Sequence, residues 1–225
     1  MEKNINIDFH AHILPEMDHG CLDLNMSLKQ LDMAQKNGIN VVIATSHFYP
    51  HVETVESFLK RREAAFEQLT NDRVNVNPKL LMGAEVLICA KMDEMNGLHN
   101  LCIENTRIML MEMPFFDKWD KVLYDTIEGI QKKHNIQIVL AHAERYSKKL
   151  VISLLKLGVL LQLNVSAIHG GKGYWRTRYY IKTGKVVALG SDIHGAVNTY
   201  STFKKVIKVK KYRVIQSKAF QLLQL

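Results

Sequence analysis

Val41-Val42-Ile43-Ala44-Thr45-Ser46-His47 carries the pattern from which the fold is read. Four apolar residues, three of them β-branched, make a run suited to a buried strand, and the chain leaves it through two hydroxyl residues into an imidazole. The stretch before it has another period. Leu24, Leu28, Leu31 and Ala34 fall on one helical stripe that stops at Gly38, a residue suited to the left-handed position after a helix. Short apolar runs alternating with helical stretches in this way point to parallel strands linked by crossover helices. The same reading gives strands at Ile5–Phe9, Val41–Ala44, Lys79–Met82, Ile108–Met111, Ile136–Ala141, Val159–Leu163 and Val186–Leu189. A second stripe, Val55, Leu59, Arg62, Phe66 and Leu69, places an arginine whose stem can lie along apolar surface. Further helices are expected at Trp119–Lys133, Lys149–Leu157 and Tyr174–Thr183. No Pro- or Ser-rich linker interrupts the alternation, which favours one β/α barrel domain over residues 1–225.

Bulk properties agree with this size of core: the chain has 225 residues, 47% of them hydrophobic and 23% charged. No basic leader followed by a long apolar stretch opens it, and no window reaches the roughly 18 apolar residues of a membrane span. A cytoplasmic protein is expected. Three cysteines, Cys21, Cys89 and Cys102, make neither an even set nor a close pair, so a disulfide framework or a structural zinc site is not expected. The net charge of +8 is concentrated near the end, at Lys204, Lys205, Lys208, Lys210, Lys211, Arg213 and Lys218, and no acid follows Asp192. This basic segment, residues 204–218, reads as a solvated helix or strand face, or as a contact for an acidic partner or membrane surface; a nucleic-acid partner is not expected.

Metal-capable residues fall where the strands end. Asp8, His10 and His12 close the first; His47 follows the second and Glu85 the third; Glu112, His142, Asn164, Asp192 and His194 follow the rest, with Glu144 beside His142. In a β/α barrel these exits share one rim, so residues far apart in the chain converge. His10 and His12, two apart on an extended segment, point the same way. Imidazoles from His10, His12, His47, His142 and His194 with carboxylates from Glu85, Glu112 and Asp192 suit zinc, manganese or iron. They exceed what one tetrahedral ion can use, and a cluster of two or three ions is expected. Asp8 and Glu144 are either orienters of a liganding histidine or structural carboxylates. His51, His99, His134 and His169 lack an equivalent position and are read as ordinary residues. Three divalent ions set against Glu85, Glu112, Asp192 and one hydroxide leave a charge of about +2, which favours an anionic substrate such as phosphate.

Asp8-Phe9-His10-Ala11-His12-Ile13-Leu14-Pro15, followed by Asp18 and Gly20, resembles the opening signature of the polymerase-and-histidinol-phosphatase (PHP) superfamily. Thr45-Ser46-His47, Gly83-Ala84-Glu85, Met111-Glu112-Met113, Ala141-His142-Ala143-Glu144-Arg145-Tyr146, Gln162-Leu163-Asn164 and Gly190-Ser191-Asp192-Ile193-His194 match its later signatures in order. The His142-Ala143-Glu144-Arg145-Tyr146 run and the form of the Gly83-Ala84-Glu85 segment are similar to the CpsB/CapC branch, manganese-dependent tyrosine phosphatases acting on the bacterial tyrosine kinase of polysaccharide assembly. The resemblance implies a distorted seven-stranded β/α barrel of the PHP type and three metal ions. Manganese leads, with iron, magnesium or zinc as alternatives, held by His10, His12, His47, Glu85, Glu112, His142, Asp192 and His194. It makes Arg145 the phosphate-binding arginine, with His194 and Asp192 at the reacting centre. Two departures stand out. Asp18-His19-Gly20 replaces an Asp-Asp-Gly, and Gly195-Ala196-Val197-Asn198-Thr199-Tyr200 lacks the arginine that the family carries after its last histidine.

The reaction expected is direct hydrolysis by a metal-bridging hydroxide, because Cys21 is not followed by the arginine of a thiol-phosphatase loop. The substituting cation is sought in Lys172, Arg176 or Arg178, in the glycine-rich segment after Asn164. Two other readings are a phosphatase of a small phosphomonoester such as histidinol phosphate, and a non-catalytic partner of the assembly machinery. The retention of every ligand speaks against the last.

Overall fold

The computed structural model describes residues 5–71, 77–115, 119–195 and 199–225. Its strands are β1 (Ile7–His12), β2 (Val41–Ala44), β3 (His47–Phe48), β4 (Lys79–Met82), β5 (Glu85–Leu87), β6 (Ile108–Glu112), β7 (Gln137–Leu140), β8 (Leu160–Asn164), β9 (Val186–Gly190) and β10 (Ile193–His194). Its α-helices are α1 (Leu24–Lys36), α2 (Val55–Asn71), α3 (Lys121–His134), α4 (Lys148–Lys156), α5 (Val165–Ile168), α6 (Tyr174–Lys182), α7 (Tyr200–Ile207) and α8 (Lys210–Leu223). The fold is α/β with parallel pairing throughout the two sheets.

The seven expected strands are present, but they do not form one closed sheet. One sheet has the order β10-β1-β2-β4 and the other β3-β5-β6-β7-β8-β9. The division falls where three strands break and resume: β2 into β3 across Thr45-Ser46, β4 into β5 across Gly83-Ala84, and β9 into β10 across Ser191-Asp192. Main-chain bonds bridge these breaks, from Thr45 N–H to the Ala11 carbonyl at 2.9 Å, Glu85 N–H to Ser46 at 3.0 Å and Asp192 N–H to His10 at 2.8 Å.

Helix boundaries follow their caps. The Asp23 carboxylate accepts from Met26 N–H at 2.7 Å to start α1, which gives way to Gly38 at φ +82°. Arg62 on α2 is buried; its guanidinium lies 5.6 Å from the Phe58 ring and donates to the carbonyls of Gly83 and Asn100, each at 3.1 Å. The core has two clusters. The larger packs the helices on the strands, and the smaller joins Ile7, Phe9, Val41, Ile43, Leu81, Leu110 and Val139 with Ala219 and Leu223 of α8. The basic segment is thus helical: α8 buries Tyr212, Ile215, Gln216 and Ala219, and Gln216 accepts from Ile7 N–H at 2.7 Å. Lys204, Lys205, Lys208, Lys210, Lys211 and Arg213 stay exposed. No helix among the described residues is long and apolar enough to cross a membrane.

Candidate active site

The pairing of β1 with β2 slips between Asp8 and Ala11. Around that slip His10 and His12 turn to one point while Asp8 faces elsewhere, accepting from Ser191 N–H at 2.8 Å and Ser191 Oγ–H at 2.6 Å. Asp8 therefore anchors the break before Asp192. Its burial raises the carboxyl to about 6 despite the bonds from Ser191.

The carboxylate of Glu85, at the start of β5, is the meeting point. His10 Nε2 lies 3.1 Å from its Oε2, His12 Nε2 3.2 Å, His47 Nδ1 3.1 Å, and His142 Nε2 2.7 Å from its Oε1. Glu112, at the end of β6, stands 3.4 Å from His142 Nε2 and 3.9 Å from His47 Nδ1. Asp192 Oδ1 completes the group at 3.7 Å from His10, 3.6 Å from His12 and 3.5 Å from His194 Nδ1. All eight predicted metal ligands converge. They are set by strand ends and by two strained positions, His142 at φ +32° and Asp192 at φ +50°.

The donors fit a cluster of cations better than they fit one another. His10 Nε2 and His12 Nε2 approach to 3.1 Å with their ring edges aimed together. Buried His47 Nδ1 and His194 Nε2 make no hydrogen bond among the described residues. Subsets His12-His47-His194, His10-His12-Asp192 and His47-Glu85-Glu112 each bring ligand atoms within 4.8 Å of one another. The titration pattern agrees. Burial opposes a charged His12, yet Asp18 and Glu85 hold it up to about 10; burial likewise opposes a charged His142, which Glu112 and Glu85 raise to about 9. Burial disfavours ionised Asp192, but His10 and Arg145 hold it down to about 2. Buried carboxylates that draw protons onto neighbouring imidazoles are sites that divalent cations can neutralise, releasing those protons. His47, lowered to about 4 by burial, is neutral near pH 7, the form in which an imidazole can hold a cation.

Two polar residues, Asp18 and Gln162, stand behind this cluster. Asp18 Oδ2 takes His12 Nδ1 at 2.8 Å and His47 N–H at 3.0 Å, while Oδ1 takes Gly20 N–H at 2.8 Å. Gln162 Oε1 takes His142 N–H at 2.6 Å and lies 3.3 Å from His10 Nδ1. Neither was singled out by residue type; Gln162 could have been, as a polar residue inside the apolar run Val159–Leu163. His19 joins the same wall, its ring stacked 4.5 Å from His194 and 5.0 Å from His47.

The cluster opens into a cleft of about 380 Å³ lined by His19, Tyr49, Leu87, Phe115, Arg145 and Asp192, among others. Arg145 ends a 3-10 turn, Ala143–Arg145, and ion-pairs with Asp192 while keeping 43% of its side chain exposed. Buried Glu144 points away, accepting from Asn164 N–H at 3.3 Å, and burial raises it to about 7. The loop cations are not among the cleft residues: Lys172 is exposed, Arg178 lies 5.6 Å from the Trp175 ring, and Arg176 Nε–H donates to the Glu144 carbonyl at 2.7 Å. His134, by contrast with the cluster, meets the Asp93 carbonyl at 2.9 Å. The segment expected to lack the second arginine includes residues 196–198, outside the described residues.

The family model for capsular polysaccharide synthesis, CpsB/CapC, matches residues 6–224. The chain belongs to the CpsB/CapC family. Within it, the tyrosine-protein phosphatase CpsB of Streptococcus agalactiae serotype V is 26% identical over 203 residues, 84% of this chain and 82% of that protein. The tyrosine-protein phosphatase YwqE of Bacillus subtilis is 28% identical over 172 residues, 73% of this chain and 66% of that protein. A solved chain, from crystal structures of YwqE from Bacillus subtilis and CpsB from Streptococcus pneumoniae described as unique metal-dependent tyrosine phosphatases, shares the fold. It has TM-score 0.78 at 22% identity, over 97% of this CpsB/CapC chain and 94% of that one.

Proposed function

We propose that this chain is a metal-dependent protein-tyrosine phosphatase acting on a phosphotyrosyl protein, the tyrosine kinase of a bacterial polysaccharide-assembly system. The observation that carries the reading is the convergence of five imidazoles on three carboxylates, Glu85, Glu112 and Asp192, with one half-exposed arginine, Arg145, at the lip. Membership of a family whose relatives are named tyrosine-protein phosphatases supports it.

His10, His12, His47, Glu85, Glu112, His142, Asp192 and His194 would hold the ions, three divalent cations with manganese foremost. Bound there, they supply Lewis acidity and a water-derived nucleophile near neutral pH. The remaining work belongs to side chains. Arg145 exchanges its Asp192 partner for phosphoryl oxygens, a charge-assisted bidentate contact. Asp192 and His194, beside it on the cleft wall, are assigned to the reacting side. Asp18 fixes the His12 tautomer so that Nε2 faces the cluster, and Gln162 positions His10 and His142. Arg176, through the Glu144 carbonyl, steadies the turn that carries Arg145, a supporting role in place of the direct phosphate contact expected of the loop.

We further infer that the two sheets, followed through their three interrupted strands, form a distorted seven-stranded barrel, and that one such domain occupies the chain in the cytoplasm. The test is turnover of a phosphotyrosyl peptide against histidinol phosphate by the manganese-loaded protein. A kcat/KM higher for the peptide is expected; a preference for histidinol phosphate would reassign the substrate.

A further inference from the structure

The cleft is lined by two unlike sets of side chains: Arg145, Asp192, His194 and His19 are polar, while Leu87, Pro114, Phe115 and Tyr49 add apolar and aromatic surface. Phe115 is 61% exposed, an arrangement that forfeits the burial a phenyl ring usually gains. It is nonetheless not loose in its stacking: its ring lies parallel to Tyr146 at 5.2 Å and 15°, and to His142 at 6.1 Å and 23°. Tyr146 in turn is pinned, its hydroxyl accepting from Met113 N–H and donating to the Met113 carbonyl, each at 3.1 Å, with Trp119 packed edge-on at 5.4 Å. A buried, doubly bonded tyrosine thus serves as a platform that presents an open phenylalanine at the cleft. Tyr49 is seated in a similar way, parallel to the liganding His47 at 5.0 Å and 17°.

We propose that Phe115 and Tyr49 form an aryl-binding clamp that selects aromatic phosphate monoesters over alkyl ones. The inference rests on the phosphatase reading and adds to it the residues that set specificity. An aryl phosphate is amphipathic in the same sense as the cleft, with an anion for Arg145 and the cations and a flat apolar ring for Phe115 and Tyr49. Ring stacking is offset or edge-on and adds to simple burial, so the clamp discriminates by shape as well as by hydrophobicity. Serine and threonine phosphates have no ring to place there.

The experiment uses the manganese-loaded full chain with two non-hydrolysable inhibitors, phenylphosphonate and methylphosphonate, and turnover of a phosphotyrosyl peptide in parallel. Wild type should bind phenylphosphonate about ten-fold more tightly than methylphosphonate. Phe115→Ala and Tyr49→Leu should each bring that ratio most of the way to unity, and Phe115→Trp should keep it. Elemental analysis of each variant shows that the ions are retained. Wild-type turnover of the peptide with an unchanged phenyl preference in both variants overturns the clamp alone. So does a Phe115→Ala protein that loses peptide turnover yet keeps its phenyl preference, since Phe115 would then be contacting the rest of the peptide. Wild type that turns over no phosphotyrosyl peptide overturns the phosphatase reading itself.

Discussion

Asp18→Asn changes one atom and should loosen the metal cluster. The wild-type carboxylate accepts three hydrogen bonds, from His12 Nδ1–H at 2.8 Å, His47 N–H at 3.0 Å and Gly20 N–H at 2.8 Å. An amide has one acceptor oxygen. With its NH2 at the Oδ2 position it faces His12 and the His47 amide, and His12 must move its proton to Nε2, the atom that points at Glu85. With its NH2 at the Oδ1 position it faces the Gly20 amide instead, and Gly20 cannot give way freely: a Cβ there would already lie 2.5 Å from His12 Cβ. Either orientation sets one N–H against another. A hydrogen bond to a charged group is worth about 1.5–3 kcal/mol, so manganese affinity should fall by roughly ten- to a hundred-fold. Calorimetric titration of the metal-stripped variant measures this, with circular dichroism to show that it is folded. A folded Asp18→Asn protein binding manganese within about two-fold of wild type would refute the orienting role.

Other substitutions bear on the same arrangement. Gly190→Ala should abolish metal binding, because its Cβ would lie 2.5 Å from Gln162 Nε2 and 2.6 Å from His10 Cβ; normal metal content by elemental analysis would argue against that packing. Arg145→Ala should cut kcat/KM on a phosphotyrosyl peptide by about ten- to a hundred-fold while leaving the ions in place, and wild-type kinetics would remove it from phosphate binding. His10→Ala and Asp192→Ala should each eliminate turnover in a folded chain, whereas His134→Ala, which loses a bond to the Asp93 carbonyl at 2.9 Å, should keep it; equal losses at all three would undo the ligand assignment.

The sequence was most legible where side chains repeat. Val41–Ala44 and Lys79–Met82 are strands with the bounds that their apolar runs predict, and the α1 stripe ends at Gly38 as its spacing requires. What it did not disclose is shorter than a period. His47–Phe48 and Ile193–His194 are two-residue strands, too short for alternation to appear, so the pattern sets His47 and His194 past a strand when they lie on its resumed portion. Those breaks divide the expected ring into two sheets. The cluster is legible because its eight metal-capable residues recur at strand ends. Asp18 is legible through the family signature alone, since one carboxylate in a loop carries no period, and its contacts appear only when the fold sets it against His12 and His47. Charge and a glycine-rich setting mark Lys172, Arg176 and Arg178 as candidates for phosphate contact; in the fold Arg176 and Arg178 lie within α6, Arg176 bonded to a carbonyl and Arg178 set near Tyr174 and Trp175.

The central claim is that hydrolysis of phosphotyrosine depends on ions held by this cluster. Its most direct test is one measurement: turnover of a phosphotyrosyl peptide by the full chain before chelation, after stripping with a strong chelator, and after manganese is returned, with metal content followed by elemental analysis. Activity should vanish with the ions and return with manganese. Full activity in a preparation shown to be free of metal would contradict the account.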